Sequence, residues 1–258
     1  MRSTHPSRPS NPLLALIIAD LARISRDSLT VGIILAPLIV GLIFRVFAPS
    51  PETIEPVLVT YLGSDLGAEV ARASPVLLMS LLTALAPGLV GAVYGLLLVG
   101  ERDDRTLTVV RAMPMPFAGY LAARMLAPLV LSVAATIIAY PLAGLAPLPI
   151  TTVAVLAIVN ATNAPVTALA MAAFARDKMG ALAIMRVANS VLALPILAYF
   201  AMPPVAYMAW PSPAYWQMKA LWSAVEGGGG GGFLAIAILM NVVLGLVLYG
   251  CFERRGEA

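Results

Sequence analysis

The densest cluster of charged side chains lies between residues 101 and 105, directly after an apolar run. Its members are Glu101, Arg102, Asp103, Asp104 and Arg105. Carboxylates suit the first turn of a helix, because they favour the positive end of the helix dipole. An apolar stripe follows at helical spacing, formed by Leu107, Val110 and Met113. The pattern predicts a short amphipathic helix over 101–113 that can dock a soluble partner; the alternative is an ordinary polar loop.

Groups that could carry out catalysis are few. His5, in the polar N-terminal tail, is the only histidine, so we expect no base for a histidine-based triad, and an H-E-x-x-H zinc site, which needs two histidines, cannot form. The glycine run over 227–232 lacks the cation of a phosphate-binding loop, and no G-x-x-x-x-G-K-[ST] motif occurs in the sequence. The single cysteine, Cys251, excludes an intrachain disulfide. We therefore expect that this chain is not an enzyme and holds no metal or cofactor of its own.

The composition indicates a membrane protein. The 258 residues are 60% hydrophobic and 11% charged, with a mean hydropathy of +0.93, outside the range of soluble proteins. A helix needs about 20 apolar residues to cross the hydrocarbon layer of a bilayer. The uncharged stretch between Arg124 and Arg176 has 51 residues, and PLAGLAPLP in its middle divides it into two crossings. The sequence thus predicts an all-α fold with six transmembrane helices, over 29–48, 74–99, 118–140, 152–175, 187–202 and 233–252.

The basic residues predict the orientation. If the N-terminus is cytoplasmic, 13 of the 16 Lys and Arg residues lie on the cytoplasmic side, as the positive-inside rule requires. Residues 12–27 have apolar side chains on one helical stripe and charges opposite, which predicts an N-terminal interfacial helix; the alternative is an extension of the first span. One transmembrane domain over 12–252 then lies between cytoplasmic tails at 1–11 and 253–258. The net charge of +3 reflects this topology and does not indicate nucleic-acid binding.

The polar residues inside the predicted spans are neutral. No acidic residue lies in a span, which disfavours a proton relay or a cation pump. Asparagine in a membrane helix usually stabilises helix packing by hydrogen bonds to a neighbouring helix. The alternative is that some of these side chains line a substrate pathway. The candidates for the pathway are Asn160, Asn163, Thr167, Asn189 and Asn241.

Aromatic residues are concentrated between the fifth and sixth predicted spans. Trp and Tyr favour the headgroup level of a membrane, so an interfacial belt is the simplest interpretation. The alternative is an outer gate above a pathway, for which the candidates are Trp210, Tyr215 and Trp216.

Three stretches resemble one protein family. The sequence ERDDRTLTVVRAMPMPFAGYLAARML is similar to the cytoplasmic coupling segment of ABC-2-type transporter permeases. AAFARDKMGALAIMR and PSPAYWQMKALW resemble the branch associated with export of fluoroquinolones and other drugs. Relatives in that branch tend to have Asn-Lys-Val-Glu-Gly in the second cytoplasmic loop, where this chain has the sequence DKMGA and lacks that glutamate.

The resemblance implies a permease subunit of an ABC exporter in a bacterial cell membrane. Such a subunit pairs with a second copy or a homologous permease, and a separate ABC ATPase binds ATP and Mg. Alternating access would then move a drug-like or amphipathic solute out of the cell. The coupling helix over 101–113 would contact the ATPase, with a second contact at Arg176, Asp177 and Lys178.

Two other functions stay open at this point. One is a membrane anchor or sensor that binds a soluble partner without transport. The other is a lipid-modifying enzyme within the membrane, which the scarcity of catalytic groups disfavours.

Overall fold

The computed structural model describes residues 28–104, 117–201 and 206–255. These ranges form nine α-helices and a 3-10 helix at Tyr207–Ala209, and they contain no strand, which confirms the predicted all-α membrane fold. The α-helices are, in chain order, α1 (Ser28–Phe47), α2 (Pro51–Leu62), α3 (Ser64–Asp103), α4 (Phe117–Ala143), α5 (Ile150–Ala161), α6 (Asn163–Phe174), α7 (Lys178–Ala198), α8 (Pro213–Val225) and α9 (Gly231–Arg255).

The described part of the chain has five crossings that are long and apolar enough to span a membrane: α3, α4, α5 with α6, α7 and α9. A sixth is added if α1 and α2, bent by 84° where they join, form one crossing. The predicted spans 29–48, 118–140 and 233–252 agree with α1, α4 and α9 to within three residues at either end.

Helix α3 is the central element of the bundle and packs against α1, α2, α4, α6 and α7. It has 40 residues, so it is about 60 Å long, roughly twice the thickness of the hydrocarbon layer. The predicted span 74–99 covers only its middle. The helix is longer than predicted because its first turns pack against α2, where an added Cβ at Gly67 would lie 2.5 Å from the backbone nitrogen of Val59.

Glycine also allows α3 to approach α6 closely. An added Cβ at Gly91 would lie 2.5 Å from the carbonyl oxygen of Ala164, and one at Gly95 would lie 2.6 Å from the sulfur of Met171. Small residues at a helix contact let the two backbones meet, which increases the dispersion contacts that hold membrane helices together. The α3 and α6 pair therefore forms the tightly packed centre of the bundle.

The fourth crossing, predicted as one helix over 152–175, is broken at Thr162 between α5 and α6. Pro165 explains the break, because proline has no N–H to donate to the carbonyl of Ala161 and its ring crowds that carbonyl. The Thr162 N–H instead donates to Val159 O at 3.2 Å, a tighter turn than in an α-helix. The break exposes backbone carbonyls to polar side chains of neighbouring helices.

The fifth crossing differs from its predicted bounds. Helix α7 begins at Lys178 rather than at 187, and it ends at Ala198 rather than at 202. The Asp177 carboxylate caps its start by accepting a hydrogen bond from the Gly180 N–H at 2.6 Å. Arg186 is the charged residue directly before the predicted span 187–202, but its exposed side chain lies within the helix.

Some predicted segments lie outside the described residues. These are the tail 1–11, the interfacial helix 12–27, the part of the coupling helix from Arg105 to Met113, and the last residues of the tail 253–258.

Candidate coupling surface and internal cavities

One end of the bundle collects the charged side chains on both sides of the predicted coupling segment. This charged end consists of Glu101–Asp104, Arg124 and Arg176–Lys178, from the last turn of α3, the start of α4, the loop after α6 and the start of α7. The structure corrects one expectation here. Glu101, Arg102 and Asp103 form the last turn of α3, not the first turn of a separate helix. Glu101, at the start of this last turn, is buried against α4, and this contact stabilises the continuation of α3 to Asp103.

Glu101 is a buried residue and not part of an exposed surface. Its carboxylate forms an ion pair with Arg124, which is only 2% exposed. The hydroxyl of Tyr120 donates a hydrogen bond to the same carboxylate at 3.0 Å. Since α3 ends at Asp103 and α4 begins at Phe117, this cluster ties together the two helices that flank the coupling segment.

Arg102 joins the charged end to the second loop. Its guanidinium donates to the carbonyl oxygens of Ala172 at 3.2 Å and Arg176 at 3.0 Å, at the C-terminus of α6. A cation at this position satisfies carbonyls that have no helical partner and favours the negative end of the helix dipole. The described start of the predicted coupling segment therefore neighbours the second loop, to which Arg102 links it.

The remaining charges at this end are exposed. They are Asp103, Asp104, Arg176, Asp177 and Lys178. This end therefore exposes both acidic and basic side chains, and these five are the described candidates that a soluble partner can reach. Their role in coupling stays a prediction.

A polar network surrounds the break at Thr162. The Asn163 amide donates to the Gln217 side chain, whose own amide donates to Val159 O at 3.2 Å. The Thr162 hydroxyl donates to the same carbonyl at 2.6 Å, and the Asn241 amide donates to the Thr162 oxygen at 2.7 Å. The network satisfies Val159 O beside the break, and it joins α8 and α9 to the fourth crossing.

Helix α8 enters the bundle and does not lie on its surface. Its 13 residues are too few to cross a membrane, yet Gln217 meets Asn163 at the middle of the fourth crossing. The Trp222 indole donates to the Ser80 hydroxyl of α3 at 2.8 Å. The sequence analysis missed both α8 and Gln217. The signal was the helical spacing of Tyr215, Met218 and Trp222, which form its buried face.

The aromatic residues form a cluster around Lys219. The rings of Trp210 and Trp216 lie 5.7 Å apart, and Tyr215 packs edge-on against Trp216. The Lys219 ammonium lies 5.5 Å and 5.8 Å from the ring centres of Tyr215 and Trp216. Trp210 is exposed, as expected for an interfacial residue, but Tyr215 is buried in protein. The three gate candidates are thus brought together, and their gating role stays a prediction.

A cavity lies beside the polar network. This cavity of about 270 Å³, here named the asparagine cavity, is lined by Asn163, Val166, Thr167, Ala170, Phe174, Ala188, Ser212, Pro213, Asn241, Leu244 and Leu248. Three of the five pathway candidates therefore meet in one cavity. Asn160 is buried outside its lining, and Asn189 lies on α7 without lining it.

Comparison with known proteins gives one family. The model of the family described as fluoroquinolones export permease protein Rv2686c-like matches residues 20–249. Two relatives are the fluoroquinolones export permease proteins MT2760 and Rv2686c of Mycobacterium tuberculosis, from strains CDC 1551 and H37Rv. Each is 26% identical over 240 residues, covering 92% of this chain and 92% of the relative. No solved structure matches the chain significantly.

Proposed function

The chain belongs to the Rv2686c-like family of fluoroquinolones export permease proteins, and we propose that it is the membrane-spanning permease subunit of an ATP-driven exporter. It moves drug-like amphipathic solutes, with fluoroquinolones as the first candidates, out of a bacterial cell. The match to the mycobacterial permeases over 92% of both chains is the observation that carries this proposal.

Energy for export comes from a separate subunit. The sequence has no phosphate-binding loop motif, so ATP and Mg bind to a partner ABC ATPase. ATP closes the ATPase subunits, and the permease shifts between an inward-open and an outward-open state. An equilibrium of this kind can be driven only if the partner binds the two states with different free energies.

The charged end is the ATPase contact. Asp103, Asp104, Arg176, Asp177 and Lys178 are exposed there, next to the coupling segment with Arg105, Leu107, Val110 and Met113. Glu101 and Arg102 act indirectly. Glu101 ties α3 to α4 through Arg124, while Arg102 holds the second loop through backbone carbonyls. A displacement of the coupling segment is thereby transmitted to α3, α4 and α6 together.

The permease works as a pair. Helices α7 and α9 expose most of their apolar surface, including Leu194, Leu197, Val243 and Leu246, so these faces are available to lipid and to a second permease. Both termini lie in the cytoplasm, in accordance with the distribution of Lys and Arg. The charged end is then cytoplasmic, where an ATPase can reach it.

Drug accumulation in whole cells tests the proposal. A host without its own drug pumps expresses the chain alone, a P-loop ATPase from a neighbouring reading frame alone, or both, and fluoroquinolone fluorescence in washed cells is measured. We expect lower accumulation only when both are present. The double variant Asp104→Lys with Lys178→Glu should lose this effect, whereas the control Glu52→Lys on α2, away from the charged end, should keep it.

Two results would oppose the proposal. Equal accumulation in all strains, with both proteins in the membrane, would exclude export of fluoroquinolones by this pair. Co-purification of the ATPase without any effect on accumulation of a panel of amphipathic drugs would favour an anchor or sensor.

A further inference from the structure

A wide cavity of about 700 Å³ lies at the end of the bundle opposite the charged end. It is formed where α7 ends and where α3 and α9 begin, and its lining includes Glu69, Tyr199, Tyr207, Trp210, Trp222 and Glu226. Glu69 and Asp103 are 34 positions apart on α3, so this cavity is about 50 Å from the charged end. In the proposed topology this cavity, here named the outer vestibule, faces the outside of the cell.

Aromatic side chains line much of the outer vestibule. The ring of Tyr199 packs edge-on against Trp222 with 4.8 Å between the ring centres, and the rings of Tyr207 and Trp210 lie 4.5 Å apart. Tyr207 is 52% exposed and Trp210 is 43% exposed, so a ligand that enters from outside meets them directly. The face of an aromatic ring carries negative potential and attracts cations. This wall therefore suits a flat ring system that carries a positive charge.

Two carboxylates give the outer vestibule an excess of negative charge. Glu69 and Glu226 are exposed, and neither forms an ion pair with another residue of the described ranges. Burial, and then the charges of Glu226 and Glu69, raise the pKa of Tyr199, which lies just after α7, so both carboxylates act on one side chain of the wall. Lys219 is the one cation among the described lining residues, and its ammonium already donates to the Tyr215 hydroxyl at 3.5 Å.

The charges and rings of the outer vestibule together restrict the ligand. An anion is disfavoured because two carboxylates outnumber the single ammonium of Lys219. A lipid headgroup with an ammonium carries the favoured charge but has no ring for the aromatic wall. The volume lies in the range of cavities that hold drug-sized molecules. A positively charged aromatic molecule matches all of these features.

We propose that the outer vestibule binds an aromatic molecule with a protonated amine, whose ammonium is attracted by Glu69 and Glu226 and whose rings pack against Trp210 and the neighbouring aromatic residues. The inference rests on the proposed export function for its biological meaning, because the outer vestibule then holds the solute on the side where it leaves the permease. Binding itself requires neither ATP nor the ATPase.

Two fluorescent probes that differ in their charge test the proposal. Dansylcadaverine has a naphthalene ring and a protonated amine, and its N-acetyl derivative has the same ring but no charge. Their binding to the full chain in dodecyl maltoside micelles is measured against empty micelles, which subtracts partitioning into the uncharged detergent. An exposed ion pair and an exposed cation–π contact together correspond to about tenfold in affinity. We therefore expect dansylcadaverine to bind about tenfold more tightly than its acetyl derivative.

Matched variants locate the binding site. The double variant Glu69→Gln with Glu226→Gln should reduce the preference for dansylcadaverine to about threefold or less, because only the aromatic contacts then favour the charge. Glu52→Gln is the control, since it removes an exposed glutamate that does not line the outer vestibule, and it should keep the preference. Trp210→Ala keeps every carboxylate and removes an exposed ring, so it should weaken both probes, and it serves if the double variant does not fold.

Competition distinguishes a solute from a lipid headgroup. Lysophosphatidylethanolamine carries an ammonium without rings, whereas 1-naphthylmethylamine carries both. We expect the naphthyl amine to displace dansylcadaverine more effectively at equal concentration. Equal displacement by the lipid would overturn the proposal in favour of a headgroup site.

The other outcomes separate this inference from the export function. Equal binding of the two dansyl probes to the wild-type chain, or full binding of both in Trp210→Ala, would overturn the proposal. An unchanged preference in the folded double variant would do the same. Whole-cell accumulation tests export independently, so a chain that binds dansylcadaverine through Glu69 and Glu226 but exports nothing retains the site and loses the proposed function.

Discussion

The buried ion pair between Glu101 and Arg124 makes a quantitative prediction about stability. The variant Glu101→Gln keeps an acceptor for the Tyr120 hydroxyl but leaves the Arg124 charge buried without its carboxylate. Removing one partner of a buried pair costs about 3–5 kcal/mol. For a chain of this size, that loss corresponds to a fall in melting temperature of roughly 6–20 °C. Arg124→Met should cost a similar amount, because it leaves the carboxylate buried.

The double variant Glu101→Gln with Arg124→Met removes both charges together. Replacing a buried pair by groups without charge is often neutral or stabilising. We therefore expect the double variant to be more stable than either single variant, and close to the wild type. The two changes should thus be strongly non-additive, with a coupling energy of about 3 kcal/mol or more.

The single cysteine provides the assay. Cys251 is partly buried against the apolar cluster that contains Leu98, Tyr120 and Phe252, and Tyr120 also contacts the Glu101 carboxylate, so the thiol becomes more reactive when this region unfolds. A thiol-reactive fluorescent dye, added during heating in detergent, then reports the unfolding of this region. Melting curves of both single variants that coincide with the wild-type curve would refute a buried, structural Glu101. Such curves would indicate that Glu101 instead belongs to the exposed surface that contacts the partner.

Three further changes test separate parts of the structure, and the same thiol assay measures the first two. Gly91→Ala should destabilise the bundle by about 1–3 kcal/mol, because the added Cβ would meet the α6 backbone. The control Gly32→Ala, whose added Cβ has no atom within 4 Å, should be neutral or stabilising. Equal effects of the two changes would contradict the close approach of α3 and α6. Trp222→Phe should lower the free energy of unfolding by about 1 kcal/mol, because it removes the hydrogen bond to Ser80. Trp222→Phe combined with Ser80→Ala should lower it little more than the single change. Fully additive losses of stability would contradict this contact. Arg105→Glu should uncouple ATP hydrolysis from drug export with normal membrane insertion, and unchanged export at a normal protein level would count against the coupling segment.

The crossings themselves were largely predictable from the sequence. Long uncharged stretches located α1, α4 and α9 closely, because a charge inside the hydrocarbon layer is costly. The same rule misplaced the start of α7, because Arg186 is an exposed residue within that helix and does not mark its beginning. The break at Thr162 was also missed, although Pro165 marks its position in the sequence.

The tertiary contacts of the site were not predictable in this way. The residues next to Glu101 in the sequence do not distinguish it from an exposed glutamate. Only the fold brings Arg124, which is 23 residues away, to its carboxylate. The pairing of Asn163 with Gln217 likewise depends on α8 entering the bundle. Residue type alone identified the asparagines as pathway candidates. The positions of α6 and α9 place Asn163 and Asn241 in one cavity with Thr167, whereas Asn160 does not line it.

ATP-driven transport in a purified system tests the central proposal most directly. The chain and its partner ATPase are reconstituted into liposomes, and fluoroquinolone uptake into vesicles with the ATPase outside is measured with ATP and with a non-hydrolysable analogue. The proposal predicts uptake that requires both proteins and ATP hydrolysis, and that is lost in the double variant Asp104→Lys with Lys178→Glu. Uptake that is equal with and without the ATPase, or unchanged in that variant, would contradict a permease driven through its charged end.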